Sequence, residues 1–380
     1  LDELIDPNSL YEPADRAGLT AEIETALEGV DPGDLEAQMD TLRQVKQTNV
    51  LRVAAADITE RLPLMRISDY LTWTAEAILD AVHRLVSEQA VRRHGHPWVK
   101  DTDGERTPGF AIVGYGKLGG IELGYSSDLD LVFLHDGEGE DLGTDGERQL
   151  DNATFFARVA QRVTHFLETP TPAGVLYEVD ARLRPNGNSG LLVSPVSGFE
   201  RYQAENAWTW EHQALVRARM IVGSDALHER FEKVRSEILQ RSRDRETLRE
   251  EVSSMRERMR RELSKDGDGQ FDLKRGRGGV ADIEFMVQYS VLAGASEAPA
   301  LVVYSDNIRL LEALAEAGEF SADDAQLLID AYRTFRARIH RLALLDEPAV
   351  VDPDPELAEY REAVARLWGD CFGDDAARES

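Results

Sequence analysis

AIVGYGKLGGIELGYSSDLDLVFLHD, residues 111–136, contains two short apolar runs with a glycine-rich segment between them. The second run, Leu131–Leu134, has the length and apolar content of a buried strand, and Asp128 and Asp130 lead into it. Side chains two residues apart on a strand share one face and lie about 6.6 Å apart along it. Because two carboxylates held this close repel each other, they indicate a bound cation. The stretch therefore predicts metal-assisted phosphate chemistry.

The glycine-rich segment predicts the part of the site that faces phosphate. Glycines let backbone N–H groups approach a phosphate closely, and the two serines that follow add hydroxyl groups. The segment lacks the GxxxxGK[ST] pattern of a P-loop, and an acidic strand follows it where a dinucleotide-binding fold has a helix. The phosphate-binding residues predicted in this stretch are Gly116, Lys117, Gly119, Gly120, Ser126 and Ser127.

A second informative stretch, GVLYEVDARLRPNGNSGLLVSP, covers residues 174–195. Apolar and polar residues alternate from 175 to 184, which predicts a strand, and a short strand at Leu191–Val193 follows the NGNSG turn. On an arbitrary strand, a row of polar side chains is interpreted as a face exposed to solvent. Beside an Asp-x-Asp strand, the same row is interpreted as completing a site for nucleotide phosphates. The row includes a third acid, Asp180, and two arginines predicted to bind phosphate, Arg182 and Arg184.

Three carboxylates on adjacent strands can hold two magnesium ions, because Mg²⁺ prefers carboxylate oxygens and shares its coordination with substrate phosphates. Two ions about 3.5–4 Å apart stabilise the attacking and the leaving oxygen of an in-line displacement. The predicted catalytic and metal-binding residues are Asp128, Asp130 and Asp180.

Apolar periodicity predicts that most of the remaining chain is helical. Asp34 is predicted to cap one helix, and Ser68 or Asp69 to open another. Residues 95–108 and 137–148 are predicted to be loops. The predicted helices cover residues 34–56, 68–93, 147–168, 226–240, 245–263, 305–317 and 321–345.

Three further features have both a chemical and a structural interpretation. Trp208 and Trp210 are interpreted as core anchors. Arg217 and Arg219 require anionic partners, because buried or clefted arginines rarely lack them. The basic glycine loop at residues 274–279 either meets phosphate or is a flexible surface loop, and the sequence favours neither.

Composition limits the classes of function. The net charge of −28 over 380 residues argues against nucleic-acid binding, which needs clustered cations. No apolar run reaches the roughly 18 residues that span a membrane. The one cysteine, Cys371, fits a reducing cytosol, so we expect a cytoplasmic protein. Because the first residue is Leu1, we expect a piece of a longer polypeptide.

The glycine turn, the Asp-x-Asp strand and the later third acid resemble the nucleotidyltransferase superfamily built like the catalytic domain of DNA polymerase β. Longer motifs at residues 114–136, 176–193 and 207–219 are similar to one family, the bifunctional glutamine synthetase adenylyltransferase/adenylyl-removing enzymes of bacteria. The opening LDELIDPNSLYEP, residues 1–13, resembles the central region of those proteins.

The resemblance implies the half of such an enzyme that attaches AMP from ATP to a tyrosine of glutamine synthetase and releases pyrophosphate. It implies Mg²⁺ as cofactor, ATP as substrate, glutamine synthetase and the PII signal protein as partners, and glutamine as effector. By resemblance, the three aspartates bind the metal. The helical region from about residue 240 resembles the domain shared with the uridylyltransferase that acts on PII.

The expected fold class is α+β and mostly α, with a polymerase β-like nucleotidyltransferase domain flanked by helical domains. We expect an amino-terminal helical region at 1–98, the catalytic domain at 99–225 and a carboxy-terminal helical bundle at 226–380. Two alternatives stay open. The same fold and acids can remove AMP with phosphate, or the chain can be a non-catalytic module that binds nucleotide or a signal protein.

Overall fold

A computed structural model describes residues 9–102, 104–265, 269–352 and 354–373, so most of the opening motif lies outside the described residues. The contacts group the chain into two units. Unit 1 comprises Leu1–Asn206 and Ala218–Lys233, and unit 2 comprises Ala207–Arg217 and Val234–Ser380. Helices predominate over short strands in the described residues, which confirms the α+β, mostly helical fold class.

Unit 1 begins with three helices whose starts follow from local chemistry. The Asp34 side chain accepts a hydrogen bond from the backbone N–H of Ala37 at 3.0 Å, which confirms the predicted cap. The third helix starts directly after Pro63, four residues before Ser68, because proline fixes φ and is tolerated at a helix start. Ser68 is buried within the helix and does not cap it. These helices are α1 Arg16–Glu28, α2 Leu35–Ile58 and α3 Leu64–His94.

The strands of unit 1 form two sheets. Their bounds are β1 Pro97–Asp101, β2 Gly104–Arg106, β3 Phe110–Gly114, β4 Leu129–His135, β5 Glu140–Thr144, β6 Val179–Asp180, β7 Val193–Pro195 and β8 Arg219–Val222. The smaller sheet has the order β2-β1-β5 and is antiparallel. The prediction of loops at 95–108 and 137–148 is wrong where these strands lie. They are short, partly exposed and lack apolar alternation, so no periodicity marks them.

The larger sheet has the order β6-β4-β3-β8, with β7 also paired to β4. β3 runs antiparallel to β4 and β8, whereas β6 and β7 run parallel to β4 near its start and its end. The second apolar run of the opening stretch thus forms the central strand β4, as predicted, and the first run forms its neighbour β3. Three helices interleave with these strands: α4 Gly116–Gly119, α5 Asn152–Glu168 and α6 Val196–Glu205.

One hydrophobic core lies between the larger sheet and the helices α3 and α5. Ile78 and Val82 of α3 and Phe156 of α5 belong to the same buried cluster as Ile112 and Phe133 of the sheet. The core therefore joins residues on both sides of the boundary expected at 98/99. The division into 1–98, 99–225 and 226–380 stays a prediction.

Unit 2 is built from helices with two strands of two residues each. Its core includes Ile283, Leu311, Leu328, Phe335 and Trp368. The helices predicted at 245–263, 305–317 and 321–345 are confirmed within two residues at each end. Among the described residues, no helix combines the length and apolarity needed to cross a bilayer. The elements are α7 Thr209–Val216, α8 Asp225–Leu239 (which begins in unit 1), α9 Arg245–Leu263, β9 Phe271–Asp272, α10 Val280–Gly294, α11 Asn307–Glu316, α12 Ala322–Leu344, β10 Val350–Val351 and α13 Pro355–Phe372.

Candidate active site

Two of the three predicted acids are neighbours on paired strands. β4 and β6 are parallel, and their register sets Asp130 opposite Asp180. Adjacent strands lie about 4.8 Å apart, and residues opposite in register share a face of the sheet. Asp128 is exposed one residue before β4 begins. The strand pairing thus joins two acidic segments that are distant in the sequence.

The glycine turn between β3 and β4 lies against one of these acids. Gly116 has a φ of +55°, and a Cβ added there would lie 2.5 Å from Oδ2 of Asp130. The backbone N–H of Tyr115 donates to the carbonyl of Asp130 at 2.9 Å. Glycine is therefore required at position 116 both by the backbone conformation and by the adjacent carboxylate.

The last glycines of the turn have partners within it. The N–H groups of Gly119 and Gly120 donate at 3.0 Å to the carbonyls of Tyr115 and Gly116. These two N–H groups are used by the one-turn helix α4 and are not available to a phosphate. Lys117, in the same turn, is partly exposed.

Arg219 supports the carboxyl end of this turn. Its guanidinium donates to the carbonyls of Leu118 at 3.2 Å and Gly119 at 3.3 Å, and it pairs with Glu76 of α3. Arg16 pairs with the same carboxylate at 2.6 Å. Glu76 is therefore the anionic partner that the sequence required for Arg219. Sequence analysis missed this role, because Glu76 carries no local signal that distinguishes it from a solvated helix residue.

The loop that leads into β4 carries the two predicted hydroxyl groups. Ser126 is exposed, and the Ser127 hydroxyl accepts a hydrogen bond from the backbone N–H of Gly124 at 3.0 Å. The neighbouring Tyr125 hydroxyl donates to Oδ2 of Asp57 at 2.8 Å. One serine thus shapes the loop, and the other faces solvent.

Arg182 binds the carboxylate of Asp180. Its Nε lies 2.8 and 3.0 Å from the two carboxylate oxygens, its Nη2 also donates, and its backbone N–H donates at 2.8 Å. The hydrogen bonds from Arg182 lower the pKa of Asp180, against the effect of partial burial. The hydrogen bond to Asp180 raises the pKa of Arg182, and the charges of Asp130 and Asp128 add to that effect. The field of all three acids therefore acts on one arginine.

Arg184 organises the loop after β6. Its guanidinium donates to the carbonyl of Ala181 at 2.7 Å and to those of Asn188 and Gly190 at 3.4 Å each. The structure thus gives Arg184 a role in holding the loop, although its charge also contributes to lowering the pKa of Asp180.

The predicted strand at 175–184 is wrong in extent. Pairing is confined to Val179–Asp180, and Leu176 is buried while Val175 is exposed, which reverses the predicted alternation. Turns occupy the residues after Asp180, and side chains of α2 bind the backbone before it, so the chain does not stay extended. The strand predicted at Leu191–Val193 lies two residues later, at β7, because Leu191 is exposed.

The acids suit a hard divalent cation by donor type and by strand register. In the part of the chain that the structure describes, however, no three His, Cys, Asp or Glu side chains converge in an arrangement that could hold a metal ion. The carboxylate of Asp180 is turned toward Arg182. Arg182 therefore competes with any cation for the carboxylate of Asp180.

Two sequence candidates of unit 2 have structural partners. Arg217 is buried and pairs with Glu284 at 2.6 Å. Arg256 donates to the carbonyls of Arg275 at 2.8 Å and Gly276 at 3.3 Å, within the basic glycine loop. The loop is therefore held in place by hydrogen bonds from a buried arginine. This arrangement does not fit the interpretation of residues 274–279 as a flexible surface loop.

The interpretation of two tryptophans as core anchors is wrong. Trp208 is 70% exposed and Trp210 is 38% exposed. They lie at the amino-terminal turn of α7 and line a surface cavity of about 410 Å³ together with Glu251, Met255 and Arg258. Trp208 is the N-cap and Trp210 the second residue of α7, and their rings lie at the surface of this cavity and not in the core.

Two family models match the chain. The model of glutamate-ammonia ligase adenylyltransferase matches residues 1–234, and that of GlnD PII-uridylyltransferase matches residues 246–375. The first match includes all three acids and the glycine turn, and the second covers most of unit 2.

Curated relatives described as bifunctional glutamine synthetase adenylyltransferase/adenylyl-removing enzymes are similar over nearly the whole chain. The protein from Thioalkalivibrio sulfidiphilus is 55% identical over 97% of this chain and 38% of its own length. Those from Hahella chejuensis and Nitrosococcus oceani are 51% and 49% identical over 98% and 100% of this chain, and each is matched over 39% of its own length. The chain thus spans about two fifths of the length of these relatives.

Proposed function

The chain belongs to the glutamate-ammonia ligase adenylyltransferase family, and from this premise we propose that it transfers AMP from ATP to a tyrosine of glutamine synthetase. One observation carries the proposal: the register of β4 and β6 sets Asp130 opposite Asp180, with Gly116 against Asp130. Adjacent carboxylates beside a glycine turn suit nucleotidyl transfer, which depends on positioning and charge stabilisation more than on covalent catalysis.

We assign Asp128, Asp130 and Asp180 as the residues that hold Mg²⁺ together with ATP. Bound Mg²⁺ would neutralise the charge that develops on the phosphates. Arg182 is the proposed partner of the phosphates, because it carries an exposed guanidinium within the field of all three acids. Gly116, Lys117 and Ser126 are the proposed contacts of the turn and the following loop.

The transfer breaks the bond between the α-phosphorus of ATP and its bridging oxygen and forms a bond to the tyrosine oxygen. Pyrophosphate leaves with the electron pair, and the hydroxyl proton passes to a carboxylate, for which we propose Asp180. The lowered pKa of Asp180 keeps it ionised at neutral pH but makes it a weak base. Most of the acceleration is therefore expected from positioning and electrostatics.

The regulatory partners are also proposals. The match of residues 246–375 to the GlnD PII-uridylyltransferase model supports a connection to the PII signal protein. Glutamine is the proposed effector by family resemblance. The one cysteine of the chain, Cys371, is consistent with a reducing, cytoplasmic compartment.

The test is the transfer of label from [α-³²P]ATP to purified glutamine synthetase, with and without Mg²⁺. We expect magnesium-dependent labelling and a loss on the order of 10³-fold in Asp130→Asn. Labelling by Asp130→Asn at the wild-type rate would contradict the assignment of the acids. Nucleotide binding without any labelling would favour a non-catalytic module.

The names of the relatives also include removal of the adenylyl group, which needs the same acids. Incubation of adenylylated glutamine synthetase with inorganic phosphate distinguishes the two directions. Release of ADP would assign this chain to removal, whereas labelled protein and pyrophosphate from ATP would assign it to transfer.

A further inference from the structure

We propose that helix α2 sets the spacing of the two acid-bearing segments of the active site. In this proposal Arg43 and Lys46 hold the chain that leads to Asp180, and Asp57 holds the chain that leads to Asp128. All three are positioning residues, because they act through the backbone or side chains of neighbouring residues. The inference rests on the proposed roles of the acids and assigns a catalytic purpose to a helix that precedes the sheet.

Arg43 makes the most buried of these contacts. It is 1% exposed, and its Nε donates to the carbonyl of Gly174 at 2.6 Å while Nη2 donates to the carbonyl of Thr169. Gln47, one turn later, donates to the carbonyl of Ala173 at 2.7 Å. A buried guanidinium that binds two carbonyls fixes the course of the chain, because an alternative path leaves a buried charge without acceptors.

Lys46 binds the chain at a point nearer to Asp180 in the sequence than Arg43 does. Its ammonium donates to the carbonyl of Leu176 and lies 3.9 Å from the centre of the Tyr177 ring. Tyr177 is buried, and Asp180 follows it by three residues. A cation held over an aromatic face and a carbonyl together restrains both the backbone and the side chain of this segment.

Asp57 makes the corresponding contact near the other end of α2. It accepts the hydrogen bond of Tyr125, which precedes Asp128 by three residues. Burial raises the pKa of the Tyr125 hydroxyl, and the charge of Asp57 adds to this effect, so the phenol stays a donor at physiological pH.

Helix geometry places these contacts in one line. Lys46 and Asp57 are eleven residues apart, which corresponds to about three turns, so they lie on one face about 16 Å apart along the axis. Arg43 is one turn from Lys46 on nearly the same face. A single rigid element therefore determines the separation of the two chain segments, and misplacement of a catalytic group by about 1 Å can cost 10²-fold in rate.

The experiment compares Lys46→Met with Arg52→Met in the full chain. Arg52 is a cation on the same helix that pairs with Glu22 of α1 at 2.6 Å, and within the described residues its other hydrogen-bond partner is Asn49 of α2 itself. Three quantities are measured: kcat and KM for AMP transfer, retention of Mn²⁺ with ATP by the loss of the free Mn²⁺ signal in electron paramagnetic resonance, and the melting temperature.

We expect Lys46→Met to lower kcat about 10- to 100-fold and to weaken Mn²⁺ retention. Lys46→Arg should restore most of both, because it keeps a cation over Tyr177. Arg52→Met should keep kcat within about twofold at a similar loss of melting temperature. If Lys46→Met does not fold, Tyr125→Phe, which removes one hydroxyl, replaces it with an expected loss of a few-fold in kcat.

Equal kcat and Mn²⁺ retention in Lys46→Met and Arg52→Met would overturn the inference while the proposed transfer stands. A different outcome would overturn the proposed function and leave the role of α2 intact. In that outcome the wild-type protein retains Mn²⁺ with ATP and Lys46→Met does not, but the wild-type protein transfers no AMP.

Discussion

Two segments of this chain combine glycines, basic residues and aspartates, yet the structure uses them in opposite ways. In unit 1, Gly116 lies against Asp130, and the neighbouring Asp180 pairs with Arg182, whose side chain is 73% exposed. In unit 2, the loop at 274–279 surrounds Asp282, which pairs with Arg256 at 2.7 Å, and these side chains are only 2% and 1% exposed. The first segment presents charge to solvent, and the second encloses it.

The pKa directions of the two aspartates differ accordingly. Hydrogen bonds from Arg182 lower the pKa of Asp180, whereas burial raises the pKa of Asp282 despite its adjacent arginine. Asp282 also accepts a hydrogen bond from the N–H of Gly278 at 2.6 Å. An enclosed acid whose oxygens are used by the protein stabilises a loop, and an accessible acid can exchange its arginine for a ligand. Burial therefore separates an enclosed structural pair from the more exposed pair that we propose takes part in catalysis.

The largest effect is expected from breaking the enclosed pair. Arg256→Met leaves a buried carboxylate without its ion-pair partner and should lower the free energy of unfolding by about 3–5 kcal/mol. Urea denaturation followed by circular dichroism measures the loss. Arg249→Met is the control, because Arg249 lies on the same helix but is only partly buried and pairs with the exposed Glu246 at 2.5 Å, and it should change the value by about 0.5 kcal/mol or less. A loss below about 1 kcal/mol in Arg256→Met would show that the pair is not structurally required.

Gly116→Ala tests the open segment. The added Cβ would meet Oδ2 of Asp130 at 2.5 Å, so we expect AMP transfer to fall about 100-fold, with a loss of about 1–2 kcal/mol in stability. Gly104→Ala is the control, because Gly104 also has positive φ but a Cβ there has no neighbour within 4 Å. Equal transfer rates in the two variants would refute the close approach of the turn to the acid.

Lys46 of unit 1 is partly buried, so its exposure lies between that of the enclosed Arg256 and that of the exposed Arg182. Burial lowers its pKa from 10.5 to about 8, so between these values the unfolded state binds more protons and stability rises with pH. The difference in unfolding free energy between wild type and Lys46→Met should therefore increase by about 2 kcal/mol from pH 8 to pH 10. Urea denaturation across this range measures it, and a difference independent of pH would contradict the shift.

The smallest effect is expected from Arg182→Gln. Because Arg182 is largely exposed and screened by solvent, its loss should cost less than about 1 kcal/mol in unfolding free energy at pH 7. The stabilisation by the Arg182–Asp180 pair is fully present above the pKa that Asp180 has in the unfolded state. It is lost as pH falls through the lowered pKa that Asp180 has in the folded state. Urea denaturation at pH 7 and pH 2 checks both statements. A loss as large as that in Arg256→Met would remove the distinction between the two pairs.

Local signals predicted much of the fold but less of the site. The strand β4 and the Asp34 cap depend on residues close in sequence, so apolar content and capping chemistry indicated them. The pairing of Asp130 with Asp180 depends on a strand of two residues, which is too short for any periodic pattern. The sequence indicated the third acid through the polar row at 175–184, and it overestimated the strand that carries this acid.

The contacts of α2 were missed for a different reason. Arg43 and Lys46 occur in a helix, where a charged residue is normally interpreted as part of a solvated face. Their acceptors are backbone carbonyls about 130 residues later, and carbonyls have no sequence identity that a pattern could reveal. The same limit applies to Arg219, whose partners include two carbonyls of the glycine turn besides Glu76.

By itself, the sequence indicated the family through the resemblance of its motifs. Periodicity and residue spacing, which are properties of the chain alone, indicated the mostly helical α+β class, the strand β4 and the three candidate acids. Only the tertiary structure decided which charges are enclosed, which arginines bind carboxylates and which bind carbonyls, and that Gly116 contacts Asp130. The physical reason is that burial and hydrogen-bond partners arise from segments distant in sequence, and these set the free energy of each charge.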